Sequence, residues 1–205
     1  MNRWDLSPLR ISYPFSDHHM ECVVKRSSFN LVLGLLLVGL LPAATGDEPD
    51  GFVEAFPLPD ISLVNLNGEM VPLRSLAGKV TIVDFWATWC IPCLAEMPHF
   101  EALYKEYSNR GFRMVSLSTD EDPDFVTRFM EEKGLNVSFP MLMADSEVMN
   151  AFGGVTALPV TFVLDSSRTI VRKYLGFRYR ETFESDIRML LGLPQRNNDG
   201  ETAGS

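Results

Sequence analysis

Val80-Thr81-Ile82-Val83-Asp84-Phe85-Trp86-Ala87-Thr88-Trp89-Cys90-Ile91-Pro92-Cys93 carries an apolar run straight into two cysteines. Seven residues that are almost wholly apolar suit a strand buried on both faces. The residues after Cys93 change period: Leu94, Met97, Phe100, Leu103, Tyr104 and Tyr107 recur at helical spacing. The two cysteines therefore sit where a buried strand turns into a helix. Unpaired N–H groups and the helix dipole favour an anion at a helix N-terminus, so a thiolate is stabilised there. A second thiol three residues on can close a disulfide with the first, and such a pair can cycle between dithiol and disulfide.

Outward from this stretch, strands and helices alternate. Ile61–Leu66 and Met70–Leu73 flank Asn67-Gly68, a strong hairpin signal. Pro98 falls inside the helix after the cysteines and should kink it, and Gly111 ends it. Phe112–Leu117 is a second strand. Pro123 opens a helix through Lys133, closed by Gly134, and Ser146–Phe152 is a short helix. Val160–Leu164 and Thr169–Tyr174 form an antiparallel hairpin around Asp165–Arg168. Phe183, Ile187, Leu190 and Leu191 mark a last amphipathic helix. This order predicts an α/β fold with a central mixed sheet flanked by helices.

Of 205 residues, the fold is expected to occupy 56–192, with 47–55 as an acidic linker and 193–205 as a disordered polar tail. Residues 1–46 read as an N-terminal extension followed by a secretory signal: Lys25-Arg26, the apolar segment Leu31–Leu41, then Pro42-Ala43-Ala44-Thr45-Gly46. Residues 27–45 carry no charge, so an uncleaved membrane anchor is the alternative. Either way the domain is expected outside the cytoplasm, periplasmic or anchored facing that side. The net charge of −9 argues against a nucleic-acid partner.

Cysteine occurs three times, at 22, 90 and 93, too few for a disulfide scaffold. Besides redox chemistry, Cys90 and Cys93 could hold zinc or form an inert disulfide. Zinc needs two more ligands. His18, His19 and Cys22 lie within residues 1–46, and His99 alone cannot complete a site. No metal or cofactor is therefore assigned. Asp84, in an apolar strand, is either a satisfied structural acid or a proton relay whose pKa desolvation raises toward that of a useful base. Trp89, beside a reactive thiol, is expected to cap the site and contact substrate. His99 and Asp120-Glu121-Asp122 are assigned to solvated surface; the acidic run lacks the spacing of a calcium loop.

Phe85-Trp86-Ala87-Thr88-Trp89-Cys90-Ile91-Pro92-Cys93, with Pro98 and Leu158-Pro159-Val160-Thr161-Phe162, resembles the thioredoxin superfamily, and within it the TlpA/ResA/DsbE-like exported thiol-disulfide oxidoreductases. The N-terminal hairpin, the extra helical region around 120–152 and the export signal fit that subgroup. The resemblance implies a thioredoxin fold with Cys90 as exposed nucleophile, Cys93 as resolving thiol and Pro159 as a cis-proline that holds substrate. It implies that Asp84 and Glu96 are acids assisting the resolving cysteine. Ile91, Pro92 and Leu158 would join Trp89 in contacting substrate. Many chains of the subgroup have Asn at the position of Asp84, Ile91-Pro92 is an uncommon dipeptide, and Val160 replaces the more usual Thr. The expected activity is reduction of disulfides in exported cysteine-containing clients, among them apocytochrome c, with re-reduction by a membrane thiol-disulfide electron carrier. A thiol oxidase or isomerase and a non-catalytic client-binding module are the competing functions. A peroxiredoxin would need Pro-x-x-x-Thr/Ser-x-x-Cys, which residues 82–90 do not supply.

Overall fold

The structure, a computed structural model, describes residues 51–196. The signal or anchor assigned to 1–46 lies outside these residues, as do 47–50 and 197–205. Among the described residues no helix is long and apolar enough to cross a membrane.

β4 (Val80–Trp86) is buried at every position. It pairs in parallel with β5 (Phe112–Ser118) and antiparallel with β7 (Val160–Leu164). Beyond β7 lie β8 (Thr169–Leu175) and β1 (Phe52–Pro57), and beyond β5 lies β6 (Met141–Met143), giving the order β1-β8-β7-β4-β5-β6. The mixed sheet and its flanking helices agree with the sequence expectation. β2 (Ser62–Val64) and β3 (Met70–Pro72) form a separate hairpin. Asn65 Oδ1 accepts from the N–H groups of Asn67 and Glu69 there, and Gly68 takes the positive φ of +81° that the turn requires.

Alternation along β4 sorts its side chains to two cores. Val80, Ile82 and Trp86 pack with Cys93, Met97, Phe100 and Leu103 of α1 (Ile91–Tyr107) and with Phe183 and Ile187 of α4 (Arg180–Leu190). Val83 and Phe85 face the other way, onto Leu58, Leu63 and Leu73 and onto Val148 and Phe152 around α3 (Ser146–Ala151). α2 (Pro123–Lys133) contributes Val126 and Met130 to the first core. Pro98 withholds one donor but does not end α1.

Two expectations need correction, and one strand is additional. The linker assigned to 47–55 is a strand from Phe52 onward: β1 pairs Phe52 with Arg172 and Phe56 with Ile170, covering the edge of β8. The tail assigned to 193–205 is fixed at its start, where Arg188 Nε donates to the Pro194 carbonyl at 2.6 Å and Arg196 pairs with Glu184 at 3.0 Å and with Glu106. β6, three residues following Pro140, was not expected at all.

Candidate active site

α1 begins at the cysteines. Cys90 is its N-cap in extended conformation, and its sulfur accepts from the Cys93 N–H at 3.3 Å. The Cys90 carbonyl takes the Leu94 N–H. Pro92 sits in the first turn, where its missing donor costs nothing. Cys90 and Cys93 are joined as a disulfide with a Cα–Cα distance of 5.3 Å. Cys93 has no exposure, and Cys90 retains only 4%. The nucleophile expected to be exposed is thus nearly covered in the oxidised form, because the bonded sulfur turns toward Cys93 and its N–H. It is still the only residue of the pair with any exposure.

The turn before Cys90 is tied from the next strand. Asp120 accepts from the Thr88 N–H at 3.0 Å, from the Thr88 hydroxyl at 2.8 Å and from the Ser118 hydroxyl at 2.8 Å. The Thr119 N–H meets the Trp86 carbonyl at 2.9 Å. Assigning Asp120 to solvated surface missed this: it is half-buried and spans from the end of β5 to the residue two before the nucleophile.

Two buried carboxyls flank the cysteine turn in sequence, Asp84 in β4 and Glu96 in α1, and they interact with each other. Asp84 lies opposite Ser116 and Thr161 in register, on the sheet face toward α1. Its Oδ1 accepts from Thr161 at 3.2 Å, and its Oδ2 has no partner. Burial, then repulsion by Glu96, pushes its pKa well above the usual carboxylate range, against the Thr161 bond. Glu96, although on a helix, is fully buried. One turn after Cys93, it shares the helix face of the resolving thiol. Its Oε1 accepts from the Arg178 N–H at 2.7 Å, and its Oε2 has no partner. Burial raises its pKa to about 7, although the Arg178 N–H and guanidinium pull it down.

Register brings the remaining assigned residues to the same end of the sheet. β4 ends at Trp86 and β7 starts at Val160, which pairs with Phe85. Leu158 and Pro159 therefore lie level with the turn that carries the cysteines. The Leu158–Pro159 bond is cis, Pro159 is buried, and Leu158 packs against both cores. Trp89 and Ile91 stand 70% and 79% exposed on either side of Cys90, with Pro92 also exposed. His99 is half-buried with its ring against Phe177, not solvated. The other histidine and cysteine candidates for zinc, His18, His19 and Cys22, lie outside the described residues.

A mixed sheet carrying a Cys-x-x-Cys disulfide at the N-terminus of a helix, level with a cis-proline, defines a thioredoxin-fold protein with a redox-competent pair. The Redoxin family model matches residues 54–191, and the chain belongs to that family. It is 30% identical over 132 residues to the thiol-disulfide oxidoreductase ResA of Bacillus thuringiensis, covering 64% of this chain and 75% of that protein. Against ResA of Halalkalibacterium halodurans the identity is 34% over 129 residues, 62% of this chain and 72% of the relative. The crystal structure of a thiol:disulfide interchange protein of the thioredoxin family from Chlorobium tepidum superposes with a TM-score of 0.59 and 34% identity, covering 68% of this chain and 99% of that one. The expected ResA-like membership of the thioredoxin superfamily is borne out.

Proposed function

We propose that this protein is a thiol-disulfide oxidoreductase that reduces disulfides of exported, cysteine-containing client proteins. The observation that carries the reading is the asymmetry of the pair: Cys90, the N-cap of the helix, keeps some exposure, while Cys93 has none and shares its helix face with Glu96, which like Asp84 is a buried carboxyl of raised pKa. An inert structural disulfide requires neither feature.

In the reducing direction the Cys90 thiolate attacks a client disulfide. The Cys90–client S–S bond forms, the client S–S bond breaks, and the released client sulfur leaves as thiolate. Cys93 loses its proton and attacks Cys90 Sγ. The Cys90–Cys93 bond forms, and the second client sulfur departs, so the client gains the two electrons that the enzyme loses. Burial and repulsion by Glu96 hold the Asp84 pKa well above the usual carboxylate range. Glu96, poised near 7, takes the Cys93 proton, which is the match of pKa to working pH that general base catalysis favours. Asp84 holds the polar floor of the site and exchanges the proton onward. Trp89, Ile91, Pro92, Leu158 and Pro159 form the rim against which the client lies.

The export signal expected in 1–46 supports a site of action outside the cytoplasm, either free in the periplasm or held by an uncleaved anchor. The oxidised enzyme then requires two electrons from a membrane thiol-disulfide carrier, and apocytochrome c is one client class. The direction of flow rests on Ile91-Pro92, which lacks a histidine to stabilise the Cys90 thiolate further. Equilibration with glutathione should give a midpoint nearer the thioredoxin value of about −270 mV than the DsbA value of about −120 mV. A midpoint at the DsbA end would make the protein an oxidant.

A further inference from the structure

The sheet face toward α1 is apolar except for one row of side chains that runs across the strands. One row reads Val163, Ile82 and Met114, from β7, β4 and β5, and belongs to the core. The row next to it reads Tyr174, Thr161, Asp84 and Ser116, from β8, β7, β4 and β5. Asp84 therefore stands between two hydroxyls in direct register, Thr161 on one side and Ser116 on the other, and none of the three is more than 1% exposed.

Two of these hydroxyls have a use. Thr161 donates to Asp84 Oδ1 at 3.2 Å, and Tyr174 donates to Asp186 of α4 at 2.6 Å. Ser116 Oγ is buried without a partner, and so is Asp84 Oδ2. A buried hydroxyl that bonds nothing is costly, and an apolar side chain would fill the same position at no such cost. Neighbouring strands lie about 4.8 Å apart, so the two unpartnered oxygens belong to side chains within reach of each other.

The elements packed on this face bring few charges to Asp84. α1 turns Cys93, Glu96 and Met97 inward, and Glu96 repels Asp84. α2 turns Val126 and Met130 inward. The buried charges of α4 are engaged elsewhere, Asp186 with Tyr174 and Arg172, and Glu184 and Arg188 with Tyr107. Arg178, between β8 and α4, meets Glu96 through its N–H. Within its own row the Asp84 carboxyl has hydroxyls on both sides and no cation. A hydroxyl suits a carboxyl that handles protons, because it donates to the ionised form and accepts from the protonated one. The bond to the ionised form is roughly twice as strong, so the net effect favours ionisation.

Resting on the oxidoreductase reading above, we propose that the Ser116 hydroxyl pairs with Asp84 Oδ2 and is a positioning residue for the proton transfer that accompanies resolution. It acts through Asp84. It donates to Oδ2 while the Cys93 proton is still to come, and it accepts the Oδ2–H once Glu96 has passed that proton on. The serine keeps its own proton throughout, so the proton count remains that of the Cys93–Glu96–Asp84 path.

The test compares Ser116→Ala, Ser116→Val and Ser116→Thr in the full chain; Val and Thr have the same shape and differ in the hydroxyl. Carbon-13 NMR follows the Asp84 carboxyl against pH in the oxidised protein, its signal identified by loss in Asp84→Asn. The reduced protein is then mixed with 5,5′-dithiobis(2-nitrobenzoic acid), where the first thiolate released reports attack by Cys90 and the second reports closure by Cys93. In Ser116→Ala and Ser116→Val the Asp84 midpoint should rise by about one pH unit, and the second release should slow about tenfold at pH 7. The first release should keep its rate, and Ser116→Thr should keep both parent values. An unchanged Asp84 midpoint in Ala and Val, an unchanged second release, or Thr behaving as Val overturns the proposal. If the parent itself gives no second release, the oxidoreductase reading falls, an outcome distinct from those three.

Discussion

At the scale of single residues, the site depends on two carboxyls in places where carboxyls are rare. Asp84 was legible in the sequence because it interrupts an apolar strand. Glu96 was legible only through the resemblance, although its spacing also places it toward the core. Cys93, Glu96, Phe100, Leu103 and Tyr107 follow the 3.6-residue period, so Glu96 falls on the stripe that faces the core. That signal is weak by itself because charged residues seldom lie on a buried stripe. With its pKa near 7, Glu96 should impose a rise in the rate of insulin-disulfide reduction as pH increases through about 7. Glu96→Gln should abolish that rise and lower kcat about tenfold or more. Asp84→Asn should slow resolution of the mixed disulfide without unfolding the protein. A pH profile from 6 to 9 that is the same in both variants as in the parent would remove the carboxyls from the proton path.

At the scale of elements, long patterned segments were legible and short or covering ones were not. β4, α1 and the β7–β8 hairpin announce themselves by apolar runs, helical period and turn residues. β6 has three residues and no pattern, and it exists because β5 offers a free edge and Pro140 breaks the chain just before it. β1 looks like a linker because it is acidic and flanked by Pro and Gly. Its strand conformation comes from β8, which no local signal reveals. The Asp120 tie is of the same kind: its partners Thr88 and Ser118 meet it only once β4 and β5 are paired. Hydrogen bonds to a charged acceptor contribute about 1.5–3 kcal/mol each, and the site is only part-buried. Asp120→Ala should therefore cost about 1–3 kcal/mol in urea unfolding and also slow disulfide exchange, because the turn that presents Cys90 loosens. Exposed Glu121→Ala should change stability by less than about 0.5 kcal/mol. Equal effects from the two substitutions would show that the tie has no structural weight.

At the scale of the whole molecule, the buried carboxyls set how stability responds to pH. A group whose pKa is higher in the folded than in the unfolded protein holds its proton longer when folded. Its stabilising contribution is present below the unfolded value and lost as pH rises through the folded one. For Glu96 that window runs from about 4.5 to about 7, and for Asp84 it opens near 3.8 and extends upward. Stability of the oxidised protein should fall across this range, by no more than about 3 kcal/mol for Glu96, and Glu96→Gln should flatten the fall. Urea midpoints that stay level between pH 4.5 and 7 in the parent would contradict it. The central claim is that Cys90 attacks a client disulfide and Cys93 resolves the product. Its most direct test is mass spectrometry of Cys93→Ala and Cys90→Ala proteins after reaction with a peptide disulfide. The account predicts that Cys93→Ala accumulates a one-to-one mixed disulfide on Cys90, while Cys90→Ala accumulates none. A stable adduct on Cys93 in the Cys90→Ala protein, or no adduct in either, would contradict it.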